Sequence, residues 1–453
     1  MNWPGRFMMN RIALIFVWGC LCILPLGCQA FFADQPNPSN AEINEQLKKY
    51  LPADAQWLQM DDGKMKNTKR ICKDIDGDGT REGIGFFVSA KKPKQIGILM
   101  VRKQETGKWS QMIWFEEGTN LAYADFQNLT GDEQLELVLG IDGIKGNAHR
   151  VVLVYGEWDR QRKRLLRKNV HEIAVGDLDH DQLSDLMLLT KEPNKKRVRI
   201  EVYQGLVGQL LVFDRMYLRA DSMKVRTWRF GHVDQKRTGL FLQFSVYHSK
   251  NQVHILIMEK GKLRDLSSIP IIQQQLNRMW IVSCEDVNQD GMIEFLVKQQ
   301  ASHRNEHLPS PKIEELLIYS WFQLTKENQF RLLDQFIDNR KFGYQFYFPK
   351  KWQHQIRLTQ TETNLELSQT DFYFVDHRLK NTPLFLLGLD VYEEEMWFNA
   401  EKSYREARTN YQIIRKKNGK VYVVRYPSQA DWPVIFRKMK LVPSEEELKK
   451  LLK

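Results

Sequence analysis

The chain has 453 residues, a formal net charge of +11 at pH 7 and 5 cysteines. Three of those cysteines, Cys20, Cys22 and Cys28, fall at the N-terminus, so Cys72 and Cys284 cannot furnish a disulfide framework and other forces must hold the fold. The excess of lysine and arginine favours an anionic partner through long-range attraction.

The first residues carry the marks of an export signal. Arg6 and Arg11 form a basic start, and Ile12 to Leu26 is free of charge. The run ends Leu24-Pro-Leu-Gly27-Cys28, which resembles a bacterial lipobox, and that resemblance implies a lipid-modified Cys28. Pro25 departs from the pattern, where leucine is usual; the alternative is an uncleaved anchor over Ile12 to Phe32, nearly long enough to cross a bilayer. On both readings the chain lies outside the cytoplasm at a bacterial membrane, where nucleic acid is no partner and calcium is plentiful. Residues 1–28 are thus the expected signal peptide, and 29–44, rich in Pro, Asn, Ser and Ala, the expected tether.

Five acidic turns follow, each after an apolar segment and running into another. They start at Asp74, Asn128, Asp177, His232 and Asp286, at intervals near 50 residues that mark a repeat architecture. Oxygen ligands at turn positions 1, 3, 5 and 9, with a backbone carbonyl at 7, suit a hard cation that takes six or more oxygens. Turn one offers Asp74, Asp76, Asp78, Thr80 and Glu82; turn three Asp177, Asp179, Asp181, Leu183 and Asp185; turn five Asp286, Asn288, Asp290, Met292 and Glu294. In each set the seventh residue contributes only its carbonyl. Turn two, with Asn128, Thr130, Asp132 and Glu136, has two carboxylates and should bind weakly. Turn four places His232, Asp234, Lys236 and Leu240 at those positions, and its lysine should exclude a cation. Gly79 and Gly291 sit where the turn bends and positive φ is expected.

The flanks exclude an EF-hand, which needs helices. Ile84–Val88, Leu137–Leu139, Leu186–Leu189, Leu240–Phe244 and Phe295–Val297 are short, β-branched or aromatic runs that predict strands. The turns therefore join strands, and at residues 45–340 the chain resembles the FG-GAP or VCBS repeats of integrin-type β-propellers. That resemblance implies a mainly β, calcium-loop propeller of five or more blades, with a sixth to be sought in Leu316–Leu324 and Phe330–Phe336. It implies calcium in three turns and weakly in a fourth, chiefly as a structural ion. Cys72 and Cys284 hold equivalent places before turns one and five and are expected as buried free thiols.

Basic residues cluster at Arg160, Arg162, Lys163, Arg164, Arg167 and Lys168, and again at Lys195, Lys196, Arg197 and Arg199. They are candidates for contact with anionic headgroups or envelope polymers, or else a solvated hairpin edge. From residue 341 the texture changes to mixed strands (Asp371–Val375, Leu384–Val391, Val421–Arg425) and helices (Glu394–Ala407, Trp432–Met439, Leu448–Leu452), expected as a small α+β domain over 341–453. Its opening, Gly343-Tyr-Gln-Phe-Tyr-Phe-Pro349, resembles PsbP-like sandwiches, which implies docking or scaffolding.

No nucleophile elbow, phosphate-binding glycine loop or Cys-His pairing is present. His303 and His307 have helical zinc spacing, but Pro309 and Pro311 make their segment a loop. The function expected is a membrane-anchored, calcium-binding surface protein that binds or scaffolds a ligand and is not an enzyme. The alternatives are a polysaccharide-processing enzyme or an assembly factor whose C-terminal domain docks another surface protein.

Overall fold

The computed structural model describes residues 37–61, 66–68, 70–144, 149–158, 162–206, 208–220, 224–245, 252–300, 317–353, 355–363, 367–376, 383–427 and 434–453. The signal region with Cys28, the first half of the expected tether, Arg160, and the segment holding His303 and His307 lie outside them. Among the described residues no helix is long and apolar enough to cross a membrane.

The fold is mainly β, in several antiparallel sheets that do not close on themselves. Five successive sheets have the same plan. The first runs through Arg70–Lys73, Glu82–Ser89, Gln95–Lys103 and Trp109–Glu117, with Ala55–Trp57 added beside the far end of its second strand. The second runs through Asn120–Gln127, Glu136–Asp142, Arg150–Gly156 and Lys163–Val170. The third comprises Glu172–Gly176, Asp185–Glu192, Arg197–Leu206 and Gln209–Arg219. The fourth comprises Val225–His232, Thr238–Phe244, Gln252–Glu259 and Lys262–Asp265. The fifth comprises Trp280–Glu285, Glu294–Gln300, Leu317–Leu324 and Phe330–Asn339, extended by Tyr344–Tyr347. In every sheet an acidic turn joins the first strand to the second. The strands Leu317–Leu324 and Phe330–Asn339, where a sixth blade was sought, are therefore the third and fourth strands of the fifth sheet, not a further unit.

The second strand of a sheet is apolar on both faces because both faces are covered. Leu137, Leu139 and Ile141 pack towards the first sheet with Ile84, Phe86 and Ile98, while Val138 packs towards Leu186 and Leu188 of the third. Two further cores join sheet three to four, around Met187, Val202, Leu242 and Leu256, and sheet four to five, around Phe241, Ile255, Phe295 and Val297. Burying a Val, Leu, Ile or Phe side chain contributes about 1.5–3 kcal/mol, so these intersheet cores dominate cohesion. The acidic turns form a second seam. The Leu135 N–H donates to the Ile75 carbonyl at 2.8 Å and the Ser184 N–H to the Asn128 carbonyl at 2.8 Å. The Thr238 hydroxyl donates to the Asp177 carbonyl at 2.9 Å, and the Ile293 N–H to the His232 carbonyl at 3.0 Å. Each turn is thus tied to the one before it, through nearly the same two positions.

Helix Asn40–Tyr50 begins inside the segment expected to be a tether. Ser39 and Glu42 form a capping box, and Ile43 and Leu47 cover the outer face of the first sheet against Phe87, Leu99 and Val101. At the other end, Tyr344–Tyr347 is a strand of the fifth sheet, yet Tyr344, Phe346 and Phe348 enter the C-terminal core with Trp352, Phe372 and Leu389. Alternation along one strand lets it serve both units. The C-terminal sheet is ordered Ile356–Thr363, Leu367–Phe374, Leu384–Glu393, Lys420–Arg425, Tyr411–Lys417, with helix Glu394–Glu406 against it. Helix Glu445–Leu451 begins with a capping box at Ser444 and Glu447, and Val434–Lys438 is a short helix.

Candidate metal centres

Turns one, three and five share one backbone path. Residues at the fourth and sixth positions adopt positive φ: Gly77 and Gly79, His180 and Gln182, Gln289 and Gly291. The first carboxylate bridges N–H groups further along the loop. Asp74 accepts from Gly77 at 2.9 Å and Gly79 at 3.0 Å, Asp177 from His180 at 2.6 Å and Gln182 at 3.0 Å, and Asp286 from Asp290 at 3.1 Å and Gly291 at 3.0 Å. The seventh residues, Thr80, Leu183 and Met292, donate their N–H to Asp78, Asp181 and Asp290 at 2.7–2.8 Å. The ninth carboxylate turns back to the second residue's N–H: Glu82 to Ile75 at 2.8 Å, Asp185 to Leu178 at 2.7 Å and Glu294 to Val287 at 3.0 Å.

Two carboxylate groups result that could hold a metal ion. Asp74, Asp76 and Asp78 each bring an oxygen within 4.8 Å of the others, and so do Asp177, Asp179 and Asp185. Asp286, Asp290 and Glu294 do not draw together within that radius among the described residues, although Asn288 lies among them and donates to Asp290 at 2.9 Å. Burial pushes the Glu82 carboxyl up to about 8 and the Asp185 carboxyl up to about 6. Burial also raises Asp76, Asp181 and Glu294. Glu82 is fully buried, and its Oε1 has no hydrogen-bond partner. Glu82 lies outside the three-aspartate cluster but feels the charges of Asp76 and Asp78, and a buried, unpartnered carboxylate oxygen there is a costly arrangement that a cation would relieve. All-oxygen donors of this kind fit calcium or magnesium, not zinc.

Turn two shares the positive φ of the fourth residue, Gly131, but not that of the sixth, and it is self-sufficient. Glu136 accepts from Leu129 N at 2.7 Å and from the Thr130 hydroxyl at 2.7 Å, Asn128 from Gly131 N at 2.9 Å, and Asp132 from Gln134 N at 2.9 Å. Turn four is one residue shorter than its spacing implied. Gly231 pairs with Gly239, whereas in turn five the residue before the turn, Glu285, pairs with the ninth, Glu294. The ninth place therefore belongs to Gly239, not Leu240, and Lys236 lies beside an Arg237 whose guanidinium binds Asp234 at 2.7 Å.

The basic clusters are largely neutralised within the protein. Buried Glu201 takes Lys168 at 2.5 Å, Arg215 at 2.8 Å and Arg199 at 3.3 Å. Burial alone would raise its carboxyl, yet these cations hold it below the usual value. Glu192 takes Arg197 at 2.8 Å and Lys195 at 3.7 Å, Lys163 meets Glu157 at 2.6 Å, and Arg162 lies over the Trp114 ring at 4.9 Å. Arg164, Arg167 and Lys196 are exposed. A cleft of about 530 Å³ that the sequence did not single out lies between the first strands of sheets four and five. Lys224, Arg226 and Arg229 line it opposite Glu285 and Ser283. Alternation along Lys224-Val-Arg-Thr-Trp-Arg229 was the signal available for it. Cys72 and Cys284 are unbonded and pair with Gly83 and Phe295 at the equivalent register; Cys284 is buried as expected, whereas Cys72 is only half-buried.

No family model matches this sequence, and neither does any curated protein. Among solved structures the chain is similar to the exotype rhamnogalacturonan lyase YesX, at 12% identity and a TM-score of 0.28, over 70% of this chain and 64% of that one.

Proposed function

We propose that the chain is an extracytoplasmic β-propeller of the FG-GAP or VCBS type, anchored to a bacterial membrane through Cys28 and stabilised by calcium, that binds or scaffolds a ligand at the cell surface. One observation carries this reading: five four-stranded meanders place a turn at the same corner, acidic in four of them and shortened in the other, and hydrogen bonds link each turn to the last. A cation held in such a turn would stiffen two sheets at once. Calcium is the reading for Asp74, Asp76, Asp78 and Glu82 and for Asp177, Asp179, Asp181 and Asp185, with turn five behind them. The ligand site favoured is the cleft beside Lys224, Arg226 and Arg229, whose charge suits an anionic envelope polymer.

The test is co-sedimentation of the anchor-free protein with isolated envelope, in calcium and in chelator, alongside thermal melting. Calcium should raise the melting temperature, and pelleting should require calcium and yield to salt. A melting temperature indifferent to calcium would remove the metal from the proposal. Protein that stays in the supernatant throughout would remove the polymer.

A further inference from the structure

The third strand of each sheet places one residue opposite the ninth position of the turn. In the fifth sheet Gln323 pairs with Glu294. In the third, Gln204 follows Tyr203, the partner of Leu186, and so faces Asp185. In the first, Arg102 follows Val101, the partner of Gly83, and so faces Glu82. The two glutamines behave alike: Gln204 donates to Asp185 at 2.6 Å and to Asp179 at 2.9 Å, and Gln323 donates to Glu294 at 3.1 Å. Turn two meets the same need differently, with the Thr130 hydroxyl on Glu136. Every ninth carboxylate but one therefore has a neutral donor on its second oxygen.

The exception is Glu82. Arg102 bypasses it and places its guanidinium on Asp76, whose side chain is 5% exposed. Glu82 Oε1 is left buried without a partner. The arginine thus lowers the charge of the turn but leaves the Glu82 oxygen without a partner, a place that a divalent cation could fill by ligation. Turn four shows the same substitution carried to its end: it lacks the ninth carboxylate, and Arg237 neutralises Asp234 from within the loop.

We propose that Arg102 is an internal counter-cation of turn one, which holds Asp76 while the cage is empty and competes with calcium for it. Turn one is then a weaker, reversible calcium site, and turn three, with Gln204 in the corresponding place, a tighter one. This rests on the reading of the turns as calcium sites.

Calcium titration of chelator-treated protein by calorimetry tests it. Asp76→Ala identifies the component of the isotherm that belongs to turn one, and Asp179→Ala that of turn three. Arg102→Gln should tighten the turn-one component by roughly tenfold or more, since removing one unit charge near a divalent ion is worth about tenfold even in bulk water. Arg102→Lys, which keeps the charge but not the planar fork, should tighten that component far less than Arg102→Gln does. Should the glutamine variant fail to fold, Arg102→Met keeps the aliphatic stem and should tighten the component equally. An unchanged or weaker component in the neutral variants would make Arg102 a structural brace and overturn the competition. A titration with a turn-three component but none sensitive to Asp76→Ala would overturn this inference alone. No calcium uptake in any turn would overturn the calcium reading and this inference with it.

Discussion

Asp179 and Glu82 show how single carboxylates in these turns are committed. Asp179 accepts from Gln204 and shares a 4.8 Å cluster with Asp177 and Asp185. At a calcium concentration one hundred times the dissociation constant, a filled site stabilises the fold by about 2.7 kcal/mol. Asp179→Ala should remove that increment for turn three, seen as a smaller calcium-dependent rise in melting temperature; an undiminished rise would clear the residue of metal binding. Glu82 makes a pH prediction. Its folded value near 8 lies above the 4.5 of an ordinary glutamate, so between those values the folded chain holds a proton that the unfolded chain has released. Calcium-free protein should therefore gain stability as pH falls from 8 towards 4.5, with Asp185, near 6, adding to the gain over the lower part of that window. Saturating calcium should flatten the dependence, because the ion requires the ionised form. Thermal melts across this range, with and without chelator, measure it.

At the scale of elements, the turns and the third strands they touch act as one unit. Gly205, on the third strand of sheet three, lies against turn two, where an added Cβ would sit 2.2 Å from the Leu129 carbonyl oxygen and 2.3 Å from Thr130 Cα. Backbone atoms cannot give way as a flexible side chain can. Gly205→Ala should therefore cost about 1–3 kcal/mol in urea unfolding by forcing sheets two and three apart. A neutral result would show that the seam between turns is soft. Gly77 repeats the argument between turns one and two, since its φ is +79° and its added Cβ would meet the Glu133 carbonyl oxygen at 2.5 Å. These glycines were visible in the sequence, but their neighbours were not. Turn four shows the converse: its spacing in sequence put Leu240 at the ninth position, and strand register moved that place to Gly239.

For the whole molecule, the two ends of the sheet series are finished differently. Helix Asn40–Tyr50 covers the first sheet, and the fifth shares a strand and a core with the C-terminal unit. A cut after residue 340 removes Tyr344–Tyr347 and uncovers Ile318 and Ile337, both buried in the shared core. The truncated protein should be less stable than the parent and expose apolar surface, read by dye binding and near-ultraviolet circular dichroism. An unaltered melting curve would restore a clean domain boundary at that point. In the C-terminal unit, Arg425 joins Asp390 at 2.5 Å to Asp371 at 2.6 Å, with the Tyr404 hydroxyl donating to Asp390. This buried network ties strand and helix together, and nothing in the linear spacing of the four residues announced it.

The sequence by itself determined what depends on local chemistry. Apolar runs bounded by turn residues set the strands, and Asp, Asn and Gly at fixed offsets set the turns; Gly79 and Gly291 marked two positive-φ positions, whereas His180, Gln182 and Gln289 gave no such sign. Ser444 with Glu447 set the last helix. The candidate ligands were legible for the same reason, since each set falls within a single turn of nine residues. The capping box at Ser39 and Glu42 was equally local, but the polar segment around it read as a tether. Tertiary structure decided whatever depends on residues far apart in the chain. It set Arg102 on Asp76, Lys168 and Arg215 on Glu201, the cleft between two first strands, and the strand shared by two cores. Those contacts follow from register and from which face meets which neighbour, and pairing across a sheet fixes both only once the strands have assembled.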